Sequence, residues 1–371
     1  MPRHAICYHK FATQKDAVSL VTNRKELFLR ACRCQPVERV PVWIMRQAGR
    51  YLPEYQAIRA HHSFLEICKT PELATEVSMQ PFRIIGVDAV IVFSDILIVA
   101  EAMGLPLAVP DDGPVLSNPI RDVAAIRALR AFDPNGETRF VGDAIRSICR
   151  EAGPDVPVIG FAAAPWTLAC YMIEGRTRGD ISLTKKMLAS EPAMVRELLD
   201  RIADATIGYV QSQIEAGASV IQLFDTWAGE LRAEQYAAFE LPATQKIFRA
   251  IADSGVAKIL YAKGSSHLLE QLGKAGSDVV SVDWRTDLAR ARAVLGESIA
   301  IQGNVDPSLL LTTEDAVRDA ARAAVAQTGG FGHILNLGHG ILPTTPVTNA
   351  RAFVEAGQAV QLPARVPAAQ A

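Results

Sequence analysis

Eight short apolar runs, each followed by a turn and a helical stretch, constrain the fold of this chain more than any other feature. They cover residues 40–45, 89–93, 157–161, 219–224, 258–261, 279–282, 299–302 and 334–337. Near-continuous apolar strands are typical of a parallel sheet that helices cover on both faces. Eight such units predict closure into a single (β/α)8 barrel, with an open doubly wound sheet as the alternative.

One barrel domain is predicted, because no low-complexity linker divides the chain of 371 residues. Residues 1–22 lack a continuous apolar core and are interpreted as a loose N-terminal extension, with a targeting segment as the alternative. The barrel is assigned to residues 23–361, and the Pro- and Ala-rich residues 362–371 are expected to fray. Turn residues between short apolar pieces predict a hairpin-like excursion within residues 100–119.

Composition excludes several classes of partner. The formal net charge of −2 provides no global field that would attract nucleic acid or an anionic membrane. Asp95 interrupts the longest apolar stretch, residues 89–100, which therefore cannot span a bilayer. The six cysteines are scattered, as is typical of reduced thiols, and the Cys32-x-Cys34 spacing is too tight for a metal knuckle. We therefore expect a cytoplasmic protein without nucleic-acid or membrane partners.

Polar side chains follow the predicted strands and would meet at one end of a barrel. They are Arg46, Asp95, the loop of Tyr171, Thr226, Lys263, Asp283, Asn304 and His339. The carboxyl ends of the strands are where active sites on this fold are assembled. The set contains no metal-ligand cluster, nucleophile elbow or phosphate-binding glycine loop. It predicts a site that binds an anion and stabilises charge.

Two arginines end the first of these strands within a distinctive motif. Residues 41–50 read Pro-Val-Trp-Ile-Met-Arg-Gln-Ala-Gly-Arg, with Arg46 and Arg50 on either side of Gly49. Two guanidinium groups at this point would face a cavity, and a solvated loop pair is the plain alternative. The run resembles, residue for residue, a signature of the uroporphyrinogen decarboxylases.

A second stretch carries the same resemblance. Residues 160–175, which include Tyr171 and end in Glu-Gly, resemble the other signature of these enzymes, with Arg176 as a small departure. Shorter matches follow in residues 224–229, 282–284, 302–307 and 336–341. The resemblance therefore covers about residues 24–360.

The resemblance implies an enzyme of porphyrin and haem biosynthesis, a homodimer, that removes the four acetate carboxyl groups of uroporphyrinogen III as CO2 to give coproporphyrinogen III. It assigns substrate binding to Arg46, Gln47, Ala48, Gly49, Arg50, Asp95, Tyr171, Thr226 and His339. Arg46 and Arg50 would bind substrate carboxylates, and Asp95 would stabilise a pyrrolic cation, so these three are the catalytic candidates. No cofactor and no metal are expected, because a protonated pyrrole is its own electron sink.

Simpler roles are open for three of these side chains. Asp95 and Thr226 would each serve as a helix N-cap, and His339 as a packed loop histidine. For the whole chain, the nearest alternative is a zinc-dependent methyltransferase of the same barrel superfamily with a corrinoid or folate donor. The His-x-Cys pair typical of such enzymes is absent from the sequence. A non-catalytic porphyrinogen-binding protein is a further alternative. No residue is identified as the proton donor, since arginine holds its proton too tightly.

Overall fold

Seven parallel strands form the main sheet, and their order in the sheet follows their order in the chain. The computed structural model describes residues 23–110, 113–176 and 179–363. The strands are β1 Val90–Ile91, β2 Leu107–Ala108, β3 Val115–Leu116, β4 Val158–Ala163, β5 Val220–Asp225, β6 Ala257–Ala262, β7 Val279–Val282, β8 Ala300–Val305 and β9 His333–Leu337. Strands β2 and β3 form a separate antiparallel hairpin, which confirms the excursion predicted within residues 100–119.

Helices alternate with the strands and pack against the sheet. They are α1 Arg24–Cys32, α2 Pro53–Arg59, α3 Phe64–Lys69, α4 Pro71–Ile84, α5 Ile98–Ala102, α6 Val123–Ala128, α7 Arg139–Ala152, α8 Pro165–Glu174, α9 Ser182–Ser190, α10 Pro192–Glu215, α11 Ala233–Gln235, α12 Leu241–Ala250, α13 Leu269–Leu272, α14 Leu288–Leu295, α15 Glu314–Thr328 and α16 Val347–Gln358. A π-helical turn lies at Tyr236–Glu240, and 3₁₀ turns lie at Ala228–Glu230, Ala252–Ser254 and Pro307–Leu311. Within the described ranges, every helix is too short or too polar to cross a membrane.

The sheet closes into a barrel through residues 41–43. Val42 forms a single parallel bridge with Leu335 of β9, and on its other side its carbonyl oxygen accepts the Asp88 amide at 2.8 Å. The barrel prediction is confirmed, although the first strand, predicted over residues 40–45, is reduced to this bridge. The reason is that the Val42 amide donates to the Asp88 carboxylate at 2.9 Å, so a side chain replaces the ladder hydrogen bond there.

A polar layer inside the barrel fastens the same segment. Trp43 Nε1 donates to Gln302 Oε1 at 2.9 Å, and Gln302 Nε2 donates to Gln222 Oε1 at 3.1 Å and to Ser281 Oγ at 2.9 Å. All four side chains are fully buried, so each hydrogen bond avoids the free-energy penalty of an unpaired polar group. The layer therefore ties residue 43 to β5, β7 and β8.

A short connection sets the position of α8 at the carboxyl end of the sheet. Only Ala164 separates β4 from this helix. Pro165 occupies the first helical position, where its missing amide hydrogen leaves no helical bond unmade. The helix that carries Tyr171 consequently starts at the rim of the barrel.

The predicted terminal segments lie mostly outside the described residues. Residues 1–22 and 364–371 are outside, so the loose extension and most of the frayed tail stay predictions. Leu362, at the start of the predicted tail, donates its amide to the Glu38 carbonyl oxygen at 2.9 Å. The chain is therefore held against the body of the protein up to this residue.

We expect Asp88→Ala to lower the free energy of unfolding by about 3 to 5 kcal/mol, because a buried charge loses its partner. Asp88 is fully buried, and Arg39 donates to its two carboxylate oxygens at 2.7 and 2.8 Å. The substitution also leaves the Val42 amide unpaired where the sheet closes. Urea unfolding of the two proteins measures the difference.

Asp143→Ala is the matched control. Asp143 pairs with Arg139 and Arg146 on the surface of α7, where ion pairs contribute at most about 1 kcal/mol. If Asp88→Ala were no more destabilising than this control, the closure of the barrel would not depend on the buried carboxylate.

Candidate active site

The predicted site residues come from the carboxyl ends of successive strands, which all lie at one end of a parallel barrel. Around the rim, the order is Arg46 after residues 41–43, Asp95 after β1, Tyr171 after β4, Thr226 after β5 and His339 after β9. Because β1 pairs with β4 and Val42 pairs with β9, the ring of residues is continuous. The barrel thus brings together residues that are up to 293 positions apart in the sequence.

Arg46 is exposed at the rim and has a left-handed backbone, with φ at 59°. Its side chain passes over Gly340, where a Cβ atom would collide with the arginine Cδ. The Ile341 amide donates to the Met45 carbonyl oxygen at 2.9 Å, so the two rim loops are joined at this point. Left-handed backbone at a residue other than glycine is strained by about 1 to 3 kcal/mol and persists only where the surroundings impose it.

In the rest of the arginine motif, Gln47 supports the loop and Arg50 is exposed. Gln47 is fully buried, its Nε2 donates to the Ala89 carbonyl oxygen at 3.0 Å, and its Oε1 accepts the Ile44 amide at 3.2 Å. This side chain therefore holds the loop against the barrel wall and does not face solvent. Arg50 is exposed at the end of the motif, and nothing in the described residues joins it to Arg46.

Asp95 is held by its own turn. Its Oδ1 accepts the Leu97 amide at 2.7 Å, which is the local contact that the N-cap interpretation anticipated, although α5 begins only at Ile98. Burial raises the pKa of the Asp95 carboxyl to about 6, against the lowering influence of the Leu97 amide and of Arg46. Oδ2 accepts no hydrogen bond from the described residues. One carboxylate oxygen is therefore structural, and the other is available to a ligand.

His339 packs beside Tyr261 of β6. The rings are nearly parallel, with centroids 6.0 Å apart, and His339 Nδ1 lies 3.0 Å from the Tyr261 hydroxyl. That hydroxyl donates to the Gly338 carbonyl oxygen at 3.0 Å, so its oxygen accepts from a protonated Nδ1, and Nε2 is the acceptor of the ring. Burial, and then Arg46 and other nearby cations, lower the pKa of His339 to about 3. The imidazole is therefore neutral near pH 7.

Two further cations lie within electrostatic reach of His339. Lys263, after β6, and Arg285, after β7, both lower its pKa. The Arg285 guanidinium lies over the Trp284 ring, 4.4 Å from the centroid, and its Nη1 is 2.7 Å from Asp283 Oδ2. Lys263 and Asp283 were predicted at the rim, whereas Arg285 was not. Its only signal in the sequence is its place directly after the Val-Asp-Trp segment that ends β7.

Tyr171 and Thr226 lie on the arc of the rim formed by β4 and β5. Both are partly exposed, and neither side chain forms a hydrogen bond within the part of the chain that the structure describes. Thr226 is not a helix N-cap, because Trp227 occupies that position before the 3₁₀ turn. The two hydroxyl groups are therefore free for a ligand. Arg46 lies within electrostatic reach of both Asp95 and His339, since it lowers the pKa of each.

The rim combines cations, one partly desolvated carboxyl and free hydroxyl groups. Among residues 23–110, 113–176 and 179–363, no three His, Cys, Asp or Glu side chains are grouped so that they could hold a metal ion. Asn304 is a support, since its Nδ2 donates to the carbonyl oxygens of Asp283 and Thr286 at 2.9 and 2.6 Å. Fold and site together define a barrel protein whose rim carries the cations and the carboxyl suited to an anionic ligand and to charge stabilisation.

Comparison with known proteins specifies this class. A family model described as uroporphyrinogen decarboxylase (URO-D) matches residues 23–360. Proteins named uroporphyrinogen decarboxylase from Gloeobacter violaceus and Geobacter metallireducens are each 46% identical to this chain, over 334 and 330 residues. These matches cover 89% and 88% of this chain and 96% of each relative. The chain belongs to the uroporphyrinogen decarboxylase family, as the two signatures predicted.

Solved structures with the same fold include a methyltransferase from Methanosarcina mazei, with a TM-score of 0.79 and 24% identity, which matches 90% of this chain and 98% of that one. A B12-independent methionine synthase from Shewanella sp. W3-18-1 has a TM-score of 0.53 and 12% identity, and the match covers 86% of this chain and 94% of that one. At these identities the likeness shows the fold alone.

Asp95→Asn is expected to increase the free energy of unfolding at pH 7.5 by about 1 to 2 kcal/mol, after allowance for the partial exposure of the carboxyl. The pKa of Asp95 is about 6 in the folded chain, above its ordinary value of 3.8. The folded state therefore binds more protons between these values, and the stability that Asp95 contributes is lost as the pH rises through this window. Asparagine avoids the penalty and can still accept the Leu97 amide.

Urea unfolding at pH 7.5 and pH 5.0 tests this prediction. The variant should exceed the wild type in stability at pH 7.5, and the gap should narrow at pH 5.0. A variant that is less stable at pH 7.5, or a gap that is independent of pH, would contradict the desolvation of Asp95.

Proposed function

We propose that this chain removes the four acetate carboxyl groups of uroporphyrinogen III as CO2 and yields coproporphyrinogen III, which makes it a carboxy-lyase of porphyrin and haem biosynthesis. The observation that carries the proposal is the match of the family over residues 23–360, on a barrel whose rim holds Arg46 within reach of both Asp95 and His339. Relatives at 46% identity are named uroporphyrinogen decarboxylase.

Arg46 and Arg50 bind carboxylates of the substrate in this proposal. A guanidinium group is planar and permanently charged, and it binds a carboxylate through two parallel hydrogen bonds. Both arginines are exposed at the rim, so both are accessible to a ligand. Lys263 and Arg285 add positive potential on the side of His339, which suits a substrate with eight carboxylates.

Asp95 stabilises the cation that forms during decarboxylation. Loss of CO2 requires an electron sink, and a pyrrole provides one when a ring carbon is protonated and the ring becomes cationic. Since Leu97 occupies only Oδ1 of Asp95, Oδ2 is available to pyrrole N–H groups. The interaction strengthens as positive charge develops, and such a contact lowers the barrier more than it lowers the energy of the bound substrate.

The remaining polar groups orient the substrate. Tyr171 and Thr226 offer hydroxyl groups on one arc of the rim, and His339 offers a neutral imidazole on another. Ala48 and Gly49 contribute backbone and shape between the two arginines, whereas the buried side chain of Gln47 supports the loop. No cofactor is required, because the electrons of the broken bond move into the pyrrole.

We further infer a cytoplasmic homodimer with one barrel domain over residues 23–361, an N-terminal extension over 1–22 and a tail over 362–371. Scattered cysteines without disulfide bonds among the described residues support a reducing compartment. The resemblance to the family supports the dimer. Sedimentation at micromolar concentration distinguishes a dimer from a monomer.

One assay tests the activity. The purified protein is incubated anaerobically with uroporphyrinogen III, and products are oxidised and separated by their number of carboxyl groups. Stepwise appearance of products with seven, six, five and four carboxyl groups is expected, since four acetates are removed from eight carboxyl groups. Unchanged substrate after prolonged incubation would overturn the proposal.

The methyltransferase alternative rests only on a shared barrel. It predicts a protein that loses activity on dialysis against a chelator and regains it with zinc. Activity that is unchanged by dialysis would exclude it.

Asp95→Asn is expected to lower turnover by about 10² to 10³-fold, because a charge contact made mainly in the transition state contributes about 3 to 4 kcal/mol. Product affinity should change little, since an anion removed from the cleft does not weaken the attraction of a polyanion. Single-turnover kinetics and product titration measure the two quantities. Asp122→Asn is the control, because Asp122 only caps α6, where it accepts the Ala125 amide at 2.7 Å. Asparagine caps equally well, so turnover of this variant should match that of wild type. If turnover of Asp95→Asn stays within threefold of wild type, Asp95 has no catalytic role and serves only to stabilise its own turn.

Arg50→Lys is expected to weaken product binding by about 1 to 3 kcal/mol, since an ammonium group cannot reproduce a bidentate contact with a carboxylate. Titration of coproporphyrinogen under anaerobic conditions measures the change. Arg139→Lys on the exposed surface of α7 is the matched control and should bind like wild type. Equal affinities for the two variants would place Arg50 outside the site.

A further inference from the structure

A single buried hydroxyl joins the two residues that flank Thr226. Thr167 lies in the first turn of α8 and is fully buried. Its Oγ1 donates to Asp225 Oδ1 at 2.6 Å and accepts the Trp227 amide at 3.1 Å. Since Asp225 and Trp227 stand immediately before and after Thr226, both ends of this residue are anchored to the same oxygen atom.

The same helix carries Tyr171. Thr167 and Tyr171 are four positions apart in α8, so their side chains lie on the same face, one turn apart. Trp166 Nε1 adds a third link, because it donates to the Trp227 carbonyl oxygen at 3.1 Å. The turn after β5 and the helix after β4 are therefore fixed to each other next to Tyr171 and Thr226, whose hydroxyl groups are candidates for contact with the substrate.

A buried carboxyl group also fixes the N-terminal end of α8, the end that carries Thr167. Glu240 is the last residue of the π-helical turn and is fully buried. Its Oε2 accepts the Trp166 amide at 2.7 Å, and its Oε1 accepts the Thr244 hydroxyl. The first amides of a helix have no partner within the helix, so Glu240 serves as a cap supplied from a distant element. Glu240 thus fixes the turn of α8 that carries Thr167.

This network does not place two negative charges behind the cleft. Burial raises the pKa of Asp225 to about 7, and burial together with Asp225 raises the pKa of Glu240 well above its usual range. Asp225 Oδ2 is buried and accepts no hydrogen bond in the described part of the chain. The pair therefore does not carry two full negative charges near neutral pH, which limits its repulsion of a polyanionic substrate.

We propose that Thr167 is a positioning residue for the reaction. Its hydroxyl fixes the turn of Thr226 to the helix of Tyr171, so that the hydroxyl groups of Tyr171 and Thr226 keep a constant separation and direction toward the substrate. This inference rests on the proposed function. It assigns Thr167 an effect on catalysis that is transmitted through Thr226, without contact between Thr167 and the substrate. A misplaced orienting group lowers the rate even when the reacting groups are intact.

Three variants of buried threonines separate positioning from folding. Thr167→Val removes the hydroxyl at similar volume, and Thr167→Ser retains it. Thr206→Val in α10 is the matched control, because Thr206 is also fully buried and its hydroxyl has no hydrogen-bond partner among the described residues. Activity is measured well below the thermal midpoint of each variant. We expect kcat/KM to fall ten- to hundredfold for Thr167→Val and to stay within threefold of wild type for Thr167→Ser and Thr206→Val.

A double-mutant cycle with Thr226→Val provides the decisive readout. If Thr167 acts through Thr226, the double variant should have a kcat/KM within threefold of that of Thr226→Val alone. Fully multiplicative effects would overturn the inference, because a general loss of folded structure lowers activity independently of Thr226. Should Thr167→Val fail to fold, Thr167→Cys, whose thiol is only a weak donor and acceptor, replaces it in the same cycle.

The wild type in the same assay separates the two claims. An inactive wild type would overturn the proposed function and, with it, the role given to Thr167. An active wild type with an equally active Thr167→Val would overturn the positioning role alone.

Discussion

One buried carboxylate lies at the point where the barrel closes. Asp88 receives two hydrogen bonds from Arg39 and a third from the Val42 amide, at the point where the first segment of the chain meets the last strand. A backbone amide without a partner in this interior would be costly, and Asp88 supplies the partner where the neighbouring strand does not. The rim depends on this closure, because Arg46 reaches Asp95 and His339 only when residues 41–43 lie between β1 and β9.

At the rim, burial disfavours the charged forms of Asp95 and His339. Burial raises the pKa of Asp95 to about 6 and lowers that of His339 to about 3, so near pH 7 the carboxyl is still ionised whereas the imidazole is neutral. A carboxyl group held in this way interacts strongly with a cation that develops beside it, since little water screens the contact. Burial of Asp95 thus lowers stability at the position to which the proposed mechanism assigns charge stabilisation, which is a common compromise at active sites.

Two different supports hold the two parts of the site. Arg46 and His339 lie over backbone contacts between the first and last rim loops, whereas Tyr171 and Thr226 stand above the buried network of Thr167 and Asp225. The first part carries charge and the second carries hydroxyl groups. The proposed substrate carries carboxylates on every side and requires both parts to keep a fixed position relative to each other, which the closed sheet between them provides.

The sequence by itself determined the repeating strand and helix pattern, the end of the barrel that would carry the site and, through two contiguous signatures, the family. These features are local, because apolar runs, turn residues and short motifs can be identified in the sequence without knowledge of distant contacts. The tertiary structure decided what depends on partners far apart in the chain. It reduced the segment at 40–45 to one bridge, because a side chain 46 residues away takes the Val42 amide. In the folded chain, the Gln47 side chain points to the barrel wall, where it donates to Ala89. Arg285 lies close enough to His339 to lower its pKa, and Thr167 donates to Asp225, 58 residues away in the sequence. No spacing or periodicity encodes such pairs, because they form only when the barrel brings its strand ends together.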